Sequence, residues 1–231
     1  MSPTEVGLLI LAAILVCILA AGLTQQIVSR HRSRRVRIEE LRDEIRHLSY
    51  LAQNLPAPFQ SAEIRSALTT NLALQLNKLK QLAPRACREE ERLAQALHLT
   101  ESLDESPLPA AALTQLPDQP SARRVRALLR DLAQLLQKHQ DNRELHEDLA
   151  QRCQRHIKSG YHRVSCDLSI MEAQALEARG RAQLAVHQYR NCLGKLRAIR
   201  SMQNTTAQIQ NLQLHLDNLE KQLNATQARK D

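Results

Sequence analysis

The chain has 231 residues, of which only 2% are aromatic and five are glycine, and its formal net charge is +8. A β-sandwich or barrel needs frequent turns and strands rich in aromatic or β-branched residues, so this composition argues against both. The scarcity of glycine also argues against glycine-rich phosphate-binding loops. Leu, Ala, Gln, Arg and Glu dominate the chain and are good helix formers, which predicts an all-α fold.

An unbroken apolar run from Val6 to Leu23 predicts a transmembrane helix. Extended to Val28 the run has 23 residues. At 1.5 Å rise per residue such a helix spans about 34 Å, which is enough to cross the hydrocarbon core. A cleaved signal peptide would need a basic N-terminal region, and residues 1–5 contain no Lys or Arg. We therefore expect a single membrane anchor over residues 1–28.

A basic juxtamembrane segment, residues 29–37, follows the predicted anchor. It holds five arginines: Arg30, Arg32, Arg34, Arg35 and Arg37. The other flank carries only Glu5, so the positive-inside rule places the N-terminus outside and the C-terminal part in the cytoplasm. The Arg30–Arg37 segment would also meet anionic lipid headgroups. The composition is typical of a bacterial inner-membrane protein.

The net charge alone does not predict nucleic-acid binding. The five juxtamembrane arginines account for most of it, and the aromatic side chains that stack on bases are nearly absent. A second basic cluster follows an acidic stretch and is made of Arg123, Arg124, Arg126 and Arg130. We interpret this cluster as a solvated or lipid-facing helix face.

Residues 38–103 are predicted to form a first helical region. A heptad seam begins at the membrane and comprises Ile38, Leu41, Ile45, Leu48, Ala52 and Leu55. Pro56 and Pro58 end it, because proline cannot continue a helix. Ser61 caps a second helix that Pro84 closes, with one apolar face made of Ile64, Leu68, Leu72, Leu76, Leu79 and Leu82. A third helix is expected over about 86–103.

Residues 104–120 contain four prolines and are predicted to be an exposed linker between the two helical regions. Residues 121–231 form the second region. Its first helix is expected to be capped by Ser121 and to run to about residue 158, where Gly160 would serve as a left-handed C-cap. A helix pair over about 163–178 and 181–200 then follows, with Gly180 between its two helices.

A last helix, about 204–228, carries a coiled-coil-like seam. The seam residues are Ile209, Leu212, Leu216, Leu219 and Leu223. Alone in water such a helix is marginal, so it must dock either within the chain or on a second copy. The seam lacks a flanking charge pattern that would fix a dimer register. This favours docking within the chain, for example on Leu128–Leu135.

One constellation has ligand types suited to a metal. Cys153, His156, His162 and Cys166 form C-x2-H-x5-H-x3-C, and a hairpin at Gly160 would bring the two pairs together. The alternative is that the cysteines are small buried residues and the histidines lie on the surface. The spacing matches no strong zinc pattern, so we predict no metal site.

No catalytic machinery is recognisable, and we do not expect an enzyme. His162, Ser165 and Asp167 are close in sequence, but nothing in their spacing arranges them as a triad. We therefore assign no catalytic, cofactor-binding or metal residue and no cofactor. The five cysteines have no C-x-x-C spacing and are expected to be free thiols in a reducing cytoplasm.

One segment resembles a helical hairpin of the tetratricopeptide repeat family. Gly180, Ala185, Tyr189 and Cys192–Leu193 have the spacing of the small, aromatic and small positions of the repeat's second helix, and Ala173 and Leu176 fall near first-helix positions. The segment lacks the repeat's Trp, its Leu-Gly pair and its terminal Pro, and no second copy is visible. The resemblance implies partner binding on a helical groove.

These observations predict a single-pass membrane protein with long cytoplasmic helices arranged as hairpins or a bundle. The expected function is that of a scaffold or adaptor that binds helical protein partners or itself. A membrane-tethered tetratricopeptide-like module that binds peptides or proteins is the alternative, and an enzyme of unknown type is the second alternative.

Overall fold

The computed structural model describes residues 25, 32–84, 87–88 and 112–227. These residues form helices joined by turns and contain no strand, which confirms the all-α class. Helix α1 covers 32–54, and a 3-10 turn, Ala57–Phe59, follows it. The remaining helices are α2 (Ala62–Leu82), α3 (Gln119–Asp141), α4 (Glu147–Ala178), α5 (Ala182–Ala198) and α6 (Thr206–Gln227).

No helix in these ranges is long and apolar enough to cross a membrane. The predicted anchor, Val6–Val28, lies outside the described residues except for Gln25, and it stays a prediction. The predicted third helix over 86–103 also lies outside them, apart from residues 87–88.

The described residues belong to two compact units. The first contains residues 32–47, 74–84 and 87–88. Leu41 and Ile45 of α1 are buried in it, as is Leu79 of α2. The Arg34 guanidinium donates to the Leu82 carbonyl at the end of α2.

The second unit contains residues 48–73 and 112–227. The predicted break between α1 and α2 is confirmed, since α1 ends at residue 54, ahead of Pro56. Ser61 also caps α2 as expected, because its hydroxyl oxygen accepts the Ile64 N–H at 3.3 Å. The chain's one phenylalanine, Phe59, is buried.

The N-cap of helix α3 lies three residues earlier than predicted. Asp118 is its N-cap, and the Asp118 carboxylate accepts the Ser121 N–H at 2.7 Å. Ser121 is therefore the donor to the cap and not the cap itself. The apolar stripe of α3 is buried and comprises Val125, Leu128, Leu129, Leu132, Leu135 and Leu136.

The prediction of one long helix to about residue 158 is wrong, because α3 ends at Asp141 and α4 begins at Glu147. Arg143 has a positive φ of 59°, a conformation that a continuous helix does not allow. Fully buried His139 holds the turn, with its Nδ1 2.7 Å from Glu144 Oε2. His146 then caps α4 by accepting the Asp148 N–H.

The predicted break at Gly160 is also wrong, because Gly160 lies inside α4. A Cβ at this position would lie 3.3 Å from Phe59 Cδ1 and 3.5 Å from Leu129 Cδ1. The glycine therefore serves close packing between helices rather than a turn. The break at Gly180 is confirmed, since its φ is +74° and its N–H donates to Glu177 O in a Schellman-type cap.

Helices α4, α5 and α6 share one apolar core. The buried side of the α6 seam, Ile209, Leu212, Leu216 and Leu219, packs in the same cluster as Ile170 of α4 and as Tyr189 and Leu196 of α5. Docking within the chain is therefore observed, but the surface that receives α6 belongs to α4 and α5 and not to Leu128–Leu135. Arg190 and Glu220 form an ion pair between α5 and α6 at 2.9 Å.

Candidate functional site

The strongest candidate site in the described residues is a buried polar cluster centred on Asp167 of α4. Asp167 is fully buried, and its Oδ2 accepts the backbone N–H groups of Gln115 at 3.1 Å and Leu116 at 3.2 Å. Its Oδ1 accepts from the Gln208 side-chain amide of α6 at 2.6 Å. Each carboxylate oxygen of Asp167 therefore has at least one donor.

Arg163, one helical turn before Asp167, completes this Asp167 cluster. Its guanidinium is only 4% exposed and donates to Gln115 Oε1 at 2.8 Å and to Gln208 Oε1 at 3.4 Å. A buried arginine requires a counter-charge and several acceptors, and Asp167 with the two glutamines supplies both.

The cluster fixes residues 112–118, here called the connector, to α4 and α6. Gln208 donates a further bond to Leu113 O at 3.0 Å, and Asn211 donates to Ala112 O at 2.9 Å. Leu116 is buried. The expectation of an exposed segment is therefore wrong for residues 112–116, because side chains from two helices satisfy their backbone groups, whereas Pro117 and Asp118 are exposed. The domain boundary at 104–120 stays a prediction.

Burial raises the pKa of the Asp167 carboxyl to about 6, although Gln208, the Gln115 and Leu116 amides and the Arg163 charge all favour the ionised form. A carboxyl with this pKa changes charge under mildly acidic conditions. The groups that donate hydrogen bonds to Asp167 belong to the connector and to α6. The protonation state of Asp167 and the attachment of the connector to α4 and α6 therefore depend on each other.

The structure does not form a triad from His162, Ser165 and Asp167. Asp167 is engaged in its cluster, and the Ser165 hydroxyl donates to Tyr161 O at 2.8 Å. The His162 side chain is exposed. These three residues therefore act separately.

The four candidate ligands Cys153, His156, His162 and Cys166 also do not converge. All lie on the uninterrupted helix α4, where the 13 residues from Cys153 to Cys166 span about 20 Å. Within the described residues no group of His, Cys, Asp or Glu has an arrangement that would hold a metal ion.

Cys153 and His156 instead contact Glu63 of α2. The Cys153 thiol donates to Glu63 O at 3.3 Å, and His156 Nε2 lies 3.2 Å from Glu63 Oε2. Burial raises the pKa of the Cys153 thiol to about 11, which makes it a poor nucleophile and metal ligand.

Cys166 lies against Cys192 of α5. Its Sγ is 4.0 Å from Cys192 O, and Cys192 Sγ is 3.8 Å from Cys166 O. Cys87, Cys153, Cys166 and Cys192 are free thiols, as predicted. Cys17 lies outside the described residues.

A second polar cluster lies between α4, α5 and α6. Glu177 Oε2 accepts the Tyr189 hydroxyl at 3.0 Å and lies 2.9 Å from His215 Nε2. The rings of Tyr189 and His215 meet edge to face, with their centroids 5.2 Å apart. Burial and the Glu177 charge raise the pKa of Tyr189, so its hydroxyl stays protonated and acts as a donor.

Sequence reasoning missed both polar clusters. Asp167 and Gln115 are 52 residues apart, and Glu177 and His215 are 38 apart. The one available signal was polar residues at core-facing positions of apolar helices. Gln208 and Asp167 are both buried polar residues of this kind.

Comparison of the chain with protein-family models, curated proteins and solved structures gives no match.

Proposed function

We propose that the chain is a single-pass, membrane-anchored helical scaffold that acts by binding other proteins from the inner face of a bacterial membrane. The observation that carries this proposal is the apolar run Val6–Leu23, which Ile27 and Val28 extend and which five arginines between Arg30 and Arg37 follow. The same chain continues into an array of packed helices, and a scaffold needs this combination of a tether and a stable helical surface.

The packing of the second unit supports a scaffold role. The seam of α6 is buried on α4 and α5, and the connector is fixed by buried hydrogen bonds. Two large apolar side chains nevertheless stay exposed on these helices, Leu184 of α5 at 53% and Leu214 of α6 at 65%. They are the first positions at which we expect a protein partner to contact the array.

The test is a fractionation and topology experiment on the full chain. The expected result is that alkaline carbonate does not extract the chain from membranes. A reporter fused after Asp231 should be active in its cytoplasmic form and silent in its periplasmic form. A variant with all five arginines from Arg30 to Arg37 changed to glutamate is the comparison, and its orientation should be disturbed.

Either of two outcomes contradicts the proposal. Extraction of the chain by carbonate would show that the predicted anchor is wrong. A strong periplasmic signal from the wild-type fusion would show that the predicted orientation is wrong. If both tests agree with the proposal, photocrosslinkers at Leu184 and Leu214 should give protein adducts that a crosslinker at exposed Arg152 does not give.

A tetratricopeptide-like binding module on the same tether is the second candidate. It is favoured by the α4–α5 hairpin, which turns at Gly180 and buries Ala185, Tyr189 and Cys192 between its helices. A peptide partner of such a module should protect one continuous face of α4 and α5 from hydrogen exchange. Protection confined to Leu184 and Leu214 would favour the scaffold instead.

A further inference from the structure

The α3–α4 hairpin of the second unit carries a group of basic residues on one face. Gln154 Nε2 donates to Gln137 Oε1 at 2.9 Å, which places residues 137 and 154 on the same side of the two helices. The contacts at Gly160 set residue 129 beside residue 160, so the helices run antiparallel. This register identifies which residues of α3 and α4 lie on the same side of the hairpin as Gln137 and Gln154.

The charged residues on the part of that face away from the α3–α4 turn are basic. Arg130 lies two turns before Gln137, Arg126 lies one turn further, and Lys158 and His162 follow Gln154 at one and two turns. Arg155 lies next to Lys158, and these two residues line a shallow depression with Gln151 and Gln154. We call Arg126, Arg130, Arg155, Lys158 and His162 the basic face.

Two acidic residues, Asp141 and Glu147, lie on the same side at the turn end of the hairpin, where they accept hydrogen bonds from Gln137 at 2.9 Å and Gln151 at 3.2 Å. No acidic residue lies between the five bases. The uncharged positions between its bases, at 133, 134, 137, 151, 154, 161 and 165, are Ala, Gln, Tyr or Ser. Arg126 is half-buried and the other four bases are exposed. None of the five forms an ion pair with another described residue. Their positive charges are therefore available to an anionic partner.

We infer that the basic face docks on anionic lipid headgroups of the membrane that holds the anchor. This inference rests on the proposed tether, which keeps the face near that surface and makes weak electrostatic contacts sufficient. The face has no exposed large apolar side chain, which a helical protein partner would need. The face carries one aromatic side chain, half-buried Tyr161, whereas proteins that bind single-stranded nucleic acid combine several aromatic platforms for base stacking.

The experiment uses the full chain in vesicles with a photocrosslinking amino acid at Gln134, an exposed position of α3 one turn after Arg130. We expect phospholipid adducts in vesicles that contain phosphatidylglycerol, and few in phosphatidylcholine alone. The yield should fall in 0.5 M salt, where the screening length shrinks to a few ångströms. Each base near an anionic surface strengthens association about fivefold.

The test variant changes Arg126, Arg130 and Lys158 to glutamine, and its association with the surface should weaken about a hundredfold. The matched control changes three exposed arginines at the two ends of α5 to glutamine, namely Arg181, Arg197 and Arg200. The control has the same net charge as the test variant and should keep the wild-type adduct yield. Circular dichroism should give equal helix content for both.

The outcomes separate the inference from the proposed function. If carbonate leaves the chain in the membrane but Gln134 yields no lipid adduct, or yields protein or nucleic-acid adducts, the inference is wrong and the anchor stands. If carbonate extracts the chain, the anchor is wrong, and flotation of the extracted chain with phosphatidylglycerol vesicles then decides whether the face binds lipid. Equal loss of adducts in test and control variants would also overturn the inference.

Discussion

The change Asp167→Asn tests whether the buried carboxyl governs the pH dependence of stability. Burial raises the pKa of Asp167 from 3.8 to about 6 in the folded chain. The folded state therefore holds the proton more tightly than the unfolded state does. The resulting stabilisation is fully present below pH 3.8 and is lost as the pH rises through about 6. A shift of about two units corresponds to about 3 kcal/mol of unfolding free energy.

The asparagine variant lacks this titration but has a cost of its own at every pH. Its amide presents one acceptor oxygen where Asp167 presents two, so either the connector N–H groups or the Gln208 amide lose their acceptor. One mispaired buried donor costs about 1–3 kcal/mol. The unfolding free energy of the wild type should thus exceed that of the variant most at pH 4. This difference should shrink by about 2.4 kcal/mol between pH 4 and pH 7.

The assay is urea unfolding of the full chain in mild detergent, followed by circular dichroism between pH 4 and 7.5. The unfolding free energy of the variant is subtracted from that of the wild type at each pH. This subtraction cancels the contributions of the other carboxyl groups and the histidines, which titrate in both proteins. Asp217→Asn is the matched control, because Asp217 is exposed on α6 and its removal should leave the curve unchanged. A stability difference that stays constant or grows with pH would refute the reasoning, since it would mean that the donors and Arg163 dominate over burial.

Four further predictions concern the helices of the second unit. Gly194→Ala should raise the unfolding free energy by about 0.5–1 kcal/mol, because a Cβ there meets no atom within 4 Å and alanine favours the helix. Gly180→Ala should lower the unfolding free energy by about 1–2 kcal/mol, because the φ of Gly180 is +74° and a side chain is strained there. Equal shifts in melting temperature for the Gly194 and Gly180 variants would contradict both predictions. Leu216→Asp should lower the melting temperature strongly while light scattering gives an unchanged mass, because Leu216 is buried within the chain; a change of mass would instead show that α6 joins two copies. Tyr189→Phe should cost about 1 kcal/mol in urea unfolding through the lost bond to Glu177, and a neutral result would mean that this bond has no net value.

Several helix boundaries could be predicted because local chemistry sets them. Pro56 ends α1, the Ser61 hydroxyl caps α2, and Gly180 allows the left-handed turn before α5. Each of these signals acts within a few residues of the boundary it sets. The apolar seam of α6 was equally visible, because its 3.5-residue spacing is a property of one helix.

Other features depended on distant partners and could not be predicted. Gly160 serves close packing because Phe59 and Leu129 approach it, and the sequence around a glycine does not distinguish this role from a turn. The break before α4 has a non-glycine residue, Arg143, in the left-handed conformation, and buried His139 stabilises it through Glu144. The same limit applies to the Asp167 cluster, whose members come from three separate parts of the chain.

The hydrogen bonds of the connector also impose an order on folding during synthesis. Ala112 is made 99 residues before Asn211, the side chain that holds its carbonyl, and Leu113 is made 95 residues before Gln208. At about 5–20 residues per second, the ribosome needs about 5–20 s to supply these partners. The α3–α4 hairpin, whose contacts are local, can form in that interval while the connector backbone still binds water. The second unit therefore acquires these hydrogen bonds only after Gln208 and Asn211 have been made, and a chain truncated before Gln208 loses both of the α6 side chains that hold the connector.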